Sequence, residues 1–474
     1  MWDLKVIDIS KPLYLAVVEA LERDIASGLL QPGDRMPTHR SLAKKVGITL
    51  STASRVYHEA GKRGLITAVV GRGTFITADA GKKAAVIDVN QSMLDWDLGI
   101  GSPISKTDPD ILPLAEVVMH KERFPYLMSY SSPQGLPEHR RTGSDWVARF
   151  GIKAPPQNIV ITAGAHHALF IICNSLLAYG DRIATDFLTY PGIKTAAQRN
   201  GIRLESVHMD ADGMLPEELD LLCRRQNIKA VYLSGRIQNP TNREMSTTRR
   251  LELREVISRH GLVIIENDSY GFLSHSRSKT LSALLPDNSI YISSLSKAFY
   301  AGLRIAYVAA PSHIVKKLTQ GIADNMLTVS PFCAEIASEC IKTGLADISI
   351  RNKKLALIKR RAIFEKIFAD YIFESSSQSM FIWLKLPSPW RGTILEAEAA
   401  KNSIRIFCAE KFVVGAKRPP ESVRISLTGV ENLASFKKTL HQLEQLISTI
   451  NCCSNHVSSD EALSPPSANR QDAK

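Results

Sequence analysis

At 474 residues the chain is long enough for about two to four domains, and its 44% hydrophobic and 22% charged residues are globular material without a run near the roughly 20 apolar residues of a membrane span. The formal net charge of +12 is unevenly placed. Between Gln31 and Ile76, eight basic residues (Arg35, Arg40, Lys44, Lys45, Arg55, Lys62, Arg63, Arg72) meet only Asp34 and Glu59, a local balance of +6 that points to a polyanion partner or to a solvated charged face.

The opening Met1-Trp2-Asp3-Leu4-Lys5-Val6 joins no cationic stretch to an apolar core, so no signal peptide is expected. From Pro12 to Ser27, Leu13, Val17, Leu21 and Ile25 recur at helical spacing until Gly28 stops the run. Thr38 can cap a short helix over Arg40–Val46, and Gly47 permits the turn. Ser51 to Lys62 forms the second helix of the pair, with Ala53, Val56, Tyr57 and Ala60 facing inward. Leu65–Val70 and Thr74–Thr77 then flank Gly71-Arg72-Gly73, which predicts a hairpin. Three helices and a hairpin over 11–77 are the parts of a winged helix.

Three phrases in this stretch carry a resemblance: Leu30-Gln31-Pro32-Gly33-Asp34-Arg35-Met36-Pro37-Thr38-His39-Arg40, then Gly47-Ile48-Thr49, then Gly71-Arg72-Gly73-Thr74-Phe75-Ile76. In this order they resemble the GntR-type winged helix. The resemblance implies a helix near Ser51 in the major groove of double-stranded operator DNA, with Arg40 and Arg72 on phosphate or in the minor groove. Small polar Thr49, Ser51, Thr52 and Ser54 let that helix approach base edges, while Arg40, Lys44, Arg55 and Arg72 can supply phosphate contacts. Leu50 stands where relatives often carry a basic residue.

Residues 78–89 lack an apolar period and read as a linker. Over 90–450, strand-like runs (Ile159–Thr162, Arg182–Thr185, Ala230–Ser234, Val263–Glu266, Ser289–Ser293, Ile305–Ala309) alternate with helical ones. That alternation predicts an α/β domain with a largely parallel sheet. Helix-rich sequence follows Pro311, and Met380–Leu386 with Val423–Leu427 predict a smaller α+β lobe. Residues 451–474, rich in Ser, Asn and Pro, are expected to be a disordered tail. Seven cysteines without framework spacing fit reduced thiols in a cytoplasmic protein, and Cys452-Cys453 has no second ligand pair to hold a metal.

Five pieces in the large domain carry chemistry. Ile161-Thr162-Ala163-Gly164-Ala165-His166 is a strand, a tight turn and a helix start, where the N–H groups of Ala165 and His166 can meet an anion. His166 and His167 lack the carboxylate or cysteine company of metal ligands, so no metal is expected. In Thr189-Tyr190-Pro191-Gly192, Tyr190 can stack on a planar ring or simply fill the core. Asn239-Pro240-Thr241, then Asn267-Asp268-Ser269-Tyr270, then Ser294-Leu295-Ser296-Lys297 each follow a strand, with 29 residues from Asn239 to Asp268 and 29 from Asp268 to Lys297. Successive strand–helix units bring such side chains to one end of one sheet, where α/β folds bind ligands. A lysine after a strand and a serine-rich turn, with Gly302 and Arg304 behind it, suits pyridoxal 5′-phosphate (PLP) held as a Schiff base.

This constellation resembles the fold-type I PLP enzymes of the aspartate aminotransferase class, over roughly residues 95–448. Joined to the winged helix, the whole chain resembles the MocR-type subfamily of GntR regulators. The implied fold is an N-terminal winged helix-turn-helix plus an α/β fold-type I aminotransferase-like domain, its large lobe built on a mostly parallel sheet and its small lobe α+β. The implied roles are specific. Lys297 forms the internal aldimine, and Asp268 keeps the pyridine nitrogen protonated, making the ring an electron sink. Asn239 and Tyr270 bond the phenolic oxygen, Tyr190 stacks on the ring, and Ser294, Arg304 and the Ala165–His166 backbone clamp the phosphate. Arg424, in Ser422-Val423-Arg424-Ile425-Ser426, binds a substrate carboxylate, unless it is a surface arginine on a strand edge. The chain departs from the pattern at Asn242, where relatives usually have glycine, at Asn267, a frequent acid, and at Gln378-Ser379, where paired glycines are common.

Two functions are open at this stage. In one, a DNA-binding regulator senses an amino-compound effector through aldimine exchange at Lys297, as a homodimer whose subunits pair head-to-tail by the same resemblance. In the other, an active aminotransferase carries a DNA-binding module, since Lys297, Asp268 and Arg424 are the groups of a half-reaction. The intact basic winged helix favours the regulator.

Overall fold

The computed structural model describes residues 11–457 apart from 28, 70–72, 78–95, 275, 277, 377 and 389. The expected linker, the hairpin tip with Arg72, and 458–474 therefore lie outside the described residues.

At the N-terminal end, α1 (Leu13–Ala26), α2 (His39–Val46) and α3 (Leu50–Lys62) pack on the antiparallel hairpin of β1 (Ile66–Val69) and β2 (Gly73–Ile76). Capping sets the boundaries: the Thr38 hydroxyl accepts from Ser41 N at 3.2 Å and Gly47 ends α2 at φ 69°. Thr49 caps α3 in the same way, accepting from Thr52 N at 3.2 Å, so α3 starts one residue before the expected Ser51. Val17, Leu21, Leu42, Ala53, Val56 and Ile76 close the core of this unit. Each larger side chain so buried contributes about 1.5–3 kcal/mol.

The large lobe is built on one seven-stranded sheet. Its strands are β3 (Ile159–Thr162), β4 (Arg182–Asp186), β5 (Arg203–Val207) and, after the small hairpin β6 (Met209–Asp210) and β7 (Gly213–Met214), β8 (Ile228–Ser234), β9 (Val263–Asn267), β10 (Ser289–Ser294) and β11 (Ala306–Ala309). The order is β3-β11-β10-β9-β8-β4-β5. β11 is antiparallel to both its neighbours, and the other pairings are parallel. Helices cover both faces, so β3, β10 and β11 are buried along their whole length, and their apolar runs reflect that. The small lobe is an antiparallel sheet of β12 (Phe373–Glu374), β13 (Phe381–Lys385), β14 (Phe407–Cys408) and β15 (Ser422–Ser426) in the order β12-β13-β15-β14, backed by helices.

One boundary is corrected. The tail was expected from Asn451, but the last helix, Leu433–Val457, continues seven residues past Ile450. Leu440, Leu443 and Ile447 seat this helix in the core, and the helix runs on through Cys452 and Cys453.

Candidate cofactor site and nucleic-acid interface

On the winged helix, Arg40, Thr49, Ser51, Ser54 and Arg55 are exposed, and Thr52 is half-buried. The Arg55 guanidinium lies 4.2 Å over the Tyr14 ring, which orders it at the surface of α3. The Thr49 hydroxyl is less free than its exposure suggests: besides capping α3 it bonds Ser51 Oγ and Thr52 Oγ1, both at 2.9 Å. His39 packs against Tyr57 with centroids 4.0 Å apart and the rings tilted by 44°, and bonds Ser54 Oγ at 3.3 Å, and Tyr57 donates to Pro37 O. These contacts fix α2 against α3. Leu50, half exposed at the first turn of α3, puts an apolar side chain at the start of this face.

In the large lobe the predicted residues converge. Ala165 and His166 follow β3, Tyr190 follows β4, Asn239 follows β8, Asp268 and Tyr270 follow β9, and Lys297 follows β10. All sit at the C-terminal ends of their strands, and Asn239 meets Arg424 of β15 from the small lobe. Lys297 is partly buried, and its ammonium donates to Gly101 O. Burial, together with the positive charges of Arg424 and Arg304, pushes the amine down to about 8. It is therefore partly neutral, and nucleophilic, near physiological pH.

Arg304 runs along the start of the helix Ala165–Leu176, with its own backbone left-handed at φ 55°. Gly164 makes the approach possible: a Cβ there would collide with the Arg304 guanidinium. Nη1 of Arg304 donates to Ser296 Oγ at 2.8 Å, and Nη2 to Ala163 O at 3.3 Å. Burial, and then Arg304, lower the pKa of His166 beside it. Helix start, guanidinium and hydroxyl together make an anion cradle. Ser296, which sequence reasoning passed over, is the serine bonded to Arg304. Ser294 instead accepts from Ser296 N at 3.4 Å and caps the turn carrying Lys297.

On the small-lobe side, Arg424 is 6% exposed, which removes the surface-arginine reading. Its guanidinium lies about 5 Å from the Phe381, Phe407 and Phe412 rings. Nη1 donates to Asn239 Oδ1 at 2.8 Å and Nη2 to Gly99 O at 2.7 Å, while Nε is buried with no hydrogen-bond partner among the described residues. A buried cation with an unmet donor, in a cleft beside a nucleophilic amine, suits a carboxylate ligand. Burial pushes the Tyr190 hydroxyl up to about 12, and Tyr270 packs edge-on against Phe381 at 5.4 Å. Both phenols stay protonated donors.

Sequence reasoning also missed Arg236 and Tyr291. Arg236 Nη1 and Asp268 Oδ2 form a buried ion pair at 2.8 Å, and the Tyr291 hydroxyl donates to the same oxygen at 2.6 Å. The position of Arg236, just after β8 on the edge that carries Asn239, was the available signal.

The model of the family "Aminotransferase class I and II" matches residues 97–436, most of the chain. The chain belongs to the aminotransferase class I and II family. Residues 13–76 match "Bacterial regulatory proteins, gntR family", and the two parts in this order are those of MocR-type regulators. The uncharacterized HTH-type transcriptional regulator YdeF of Bacillus subtilis is 29% identical over 446 residues, covering 94% of this chain and 96% of that one. The vitamin B6 salvage pathway transcriptional repressor PtsJ of Salmonella typhimurium is 26% identical over 434 residues, covering 90% and 97%. Among solved structures, an archaeal alanine:glyoxylate aminotransferase superposes with a TM-score of 0.69 at 24% identity, covering 83% of this chain and 98% of that one. LysN, the α-aminoadipate aminotransferase of Thermus thermophilus, also gives 0.69, at 20% identity, covering 76% and 93%. These likenesses establish the fold, and the family implies PLP as the cofactor. Among the described residues no helix is long and apolar enough to cross a membrane.

Proposed function

We propose that this chain is a PLP-dependent, DNA-binding transcription regulator of the cytoplasm, whose aminotransferase-like cleft senses an amino compound that also carries a carboxylate. The observation that carries this reading is the pairing, in one chain, of an exposed basic face on α2 and α3 with a cleft holding Lys297, Asp268, Arg304 and Arg424. When bound, the cofactor supplies an aldehyde that condenses with amines and a ring that can accept electron density. Lys297 holds it through an amine lowered to about 8. Arg304, the Ala165 and His166 N–H groups and the Ser294–Ser296 turn hold its phosphate, and Asp268 faces its ring nitrogen. Asn239, Tyr190 and Tyr270 orient it, and Arg424 receives the effector carboxylate. Arg40, Thr49, Ser51, Thr52, Arg55 and Arg72 meet the operator.

The regulator acts as a head-to-tail homodimer in this reading. Leu112, Val117, Tyr126, Met128 and Tyr130 are all more than half exposed within a single short stretch, an apolar face that a second copy would cover.

The aminotransferase reading keeps one observation in its favour: the Lys297 amine is lowered to about 8 beside Arg424, closer to working pH than an ordinary lysine and so better suited to proton transfer. One experiment separates the two. The purified protein with PLP is titrated with amino compounds while the visible spectrum, operator affinity and 2-oxo product are followed together. A saturable spectral change that shifts operator affinity without accumulating product supports the sensor. Sustained product with unchanged affinity overturns it.

A further inference from the structure

Asp268 is committed before any ligand reaches it. Its Oδ1 accepts from Arg236 N at 2.9 Å, and its Oδ2 accepts from Arg236 Nη1 at 2.8 Å and from Tyr291 Oη at 2.6 Å. Arg236 Nη2 donates in turn to Phe150 O at 2.8 Å, which anchors the guanidinium from its far side. The three residues are 6%, 4% and 1% exposed for Arg236, Asp268 and Tyr291, so water does not screen the pair. The close fit is built in: a Cβ on Gly235 or Gly271 would collide with the Asp268 carboxylate.

A carboxylate that shares its charge with a guanidinium and a phenol has less to offer a third partner. A fixed guanidinium also repels any second cation brought to the same carboxylate. We infer that Arg236 is a positioning residue that weakens the grip of Asp268 on a protonated ring nitrogen, so that this cleft retains an amino compound more readily than it converts it. The inference rests on the cofactor reading above, and it supplies a physical reason for sensing over turnover. Removing a proton from the carbon next to the amine needs a strong electron sink, and that sink depends on the ring proton. Holding the amine and its carboxylate needs only Lys297 and Arg424.

The test is the 15N chemical shift of PLP labelled at the ring nitrogen, bound to the full-length protein at neutral pH. The expected wild-type resonance lies toward the unprotonated position. Arg236→Gln moves it toward the pyridinium position, Tyr291→Phe moves it less in the same direction, and Arg236→Lys leaves it near wild type. In parallel, conversion of a bound amino acid to 2-oxo acid by Arg236→Gln rises about tenfold, the effect of roughly one unit in the ring nitrogen's proton affinity. A wild-type resonance at the full pyridinium position overturns the inference, whether or not the variants fold. So does a position shared by wild type and Arg236→Gln. Failure of the cofactor reading looks different: the wild-type protein then retains no stoichiometric PLP and gives no bound resonance.

Discussion

The winged helix and the cleft hold their functional side chains under opposite conditions. On α2 and α3, Arg40, Ser51 and Arg55 stand in solvent, with the Arg55 guanidinium held over the Tyr14 ring. In the cleft, Asn239, Asp268 and Arg424 are 3%, 4% and 6% exposed, and each is bonded to another polar group of the protein. The difference teaches how each end responds to change. An exposed cation meets its ligand in water and can be cut away at little cost to the fold. A buried group takes part in a network, so removing it alters its neighbours as well as its ligand.

The sharpest way to break the comparison is Lys297→Ala. If the ends are separable, covalently held PLP is lost, because Lys297 supplies the amine that holds it, while operator affinity stays within about twofold of wild type. Absorbance and a fluorescence anisotropy titration on the same preparation report both. A persisting visible band would unseat Lys297, and a collapse of DNA binding would show that the ends are coupled through the cofactor.

Next in size are the exposed arginines. Arg40→Ala and Arg55→Ala should each weaken operator binding and reduce the slope of log affinity against log salt by about 1. Arg55→Ala should be the larger, since Tyr14 has already ordered that guanidinium and little entropy is lost when it meets phosphate. Anisotropy at several salt concentrations checks this, and an unchanged slope would remove the residue from the interface. Thermal stability should barely move for Arg40→Ala, as the comparison requires.

Smaller, and confined to the cleft, is a pH effect. Lys297 is held down to about 8, so its ammonium dominates below that value and the neutral amine above it. The rate at which Lys297 captures added PLP, trapped by borohydride and mapped by peptide mass spectrometry, should rise through pH 8. Capture by an unperturbed lysine would still be rising near pH 10. A midpoint near 10 would mean that the amine is solvated when PLP arrives.

Much of this was legible in the sequence because it is written in local rules. The cap Thr38, the glycine turns at Gly47 and Gly164, and the buried runs of β3, β9 and β10 each obey a short-range requirement of backbone or burial. Spacing alone put Asn239, Asp268 and Lys297 at one end of a sheet, where the structure places them. What stayed hidden depends on which atoms meet across distant segments. The Arg236–Asp268 pair spans 32 residues, and the Asn239–Arg424 bond joins the two lobes across 185. The pairing of Arg304 with Ser296 rather than Ser294, and the left-handed φ of 55° at Arg304, are likewise features that no periodicity reports.

The smallest expected effect tests whether the network rule reaches beyond the cofactor residues. Asn242 holds φ 63° where relatives usually have glycine, and Ser379 stands where paired glycines are common. The structure joins these departures into one feature: Ser379 Oγ donates to Asn242 Oδ1, and Asn242 Nδ2 donates to Phe381 O at 2.7 Å. The large-lobe loop after Asn239 is thus pinned to β13 of the small lobe, next to the ring that flanks Arg424. Asn242→Gly relieves the backbone and removes the Asn242 bonds to Ser379 and the Phe381 carbonyl, while Ser379 Oγ still reaches that carbonyl at 2.6 Å, for a net loss of about 1 kcal/mol. Ser379→Ala costs a similar amount. Because the two share one bond, the double variant should lose less than the sum by about 0.5–1 kcal/mol in a denaturation cycle. Strict additivity would mean that the two positions act independently and that the lobes are held together elsewhere, by the bidentate Arg243–Glu374 pair whose bonds are both 2.6 Å.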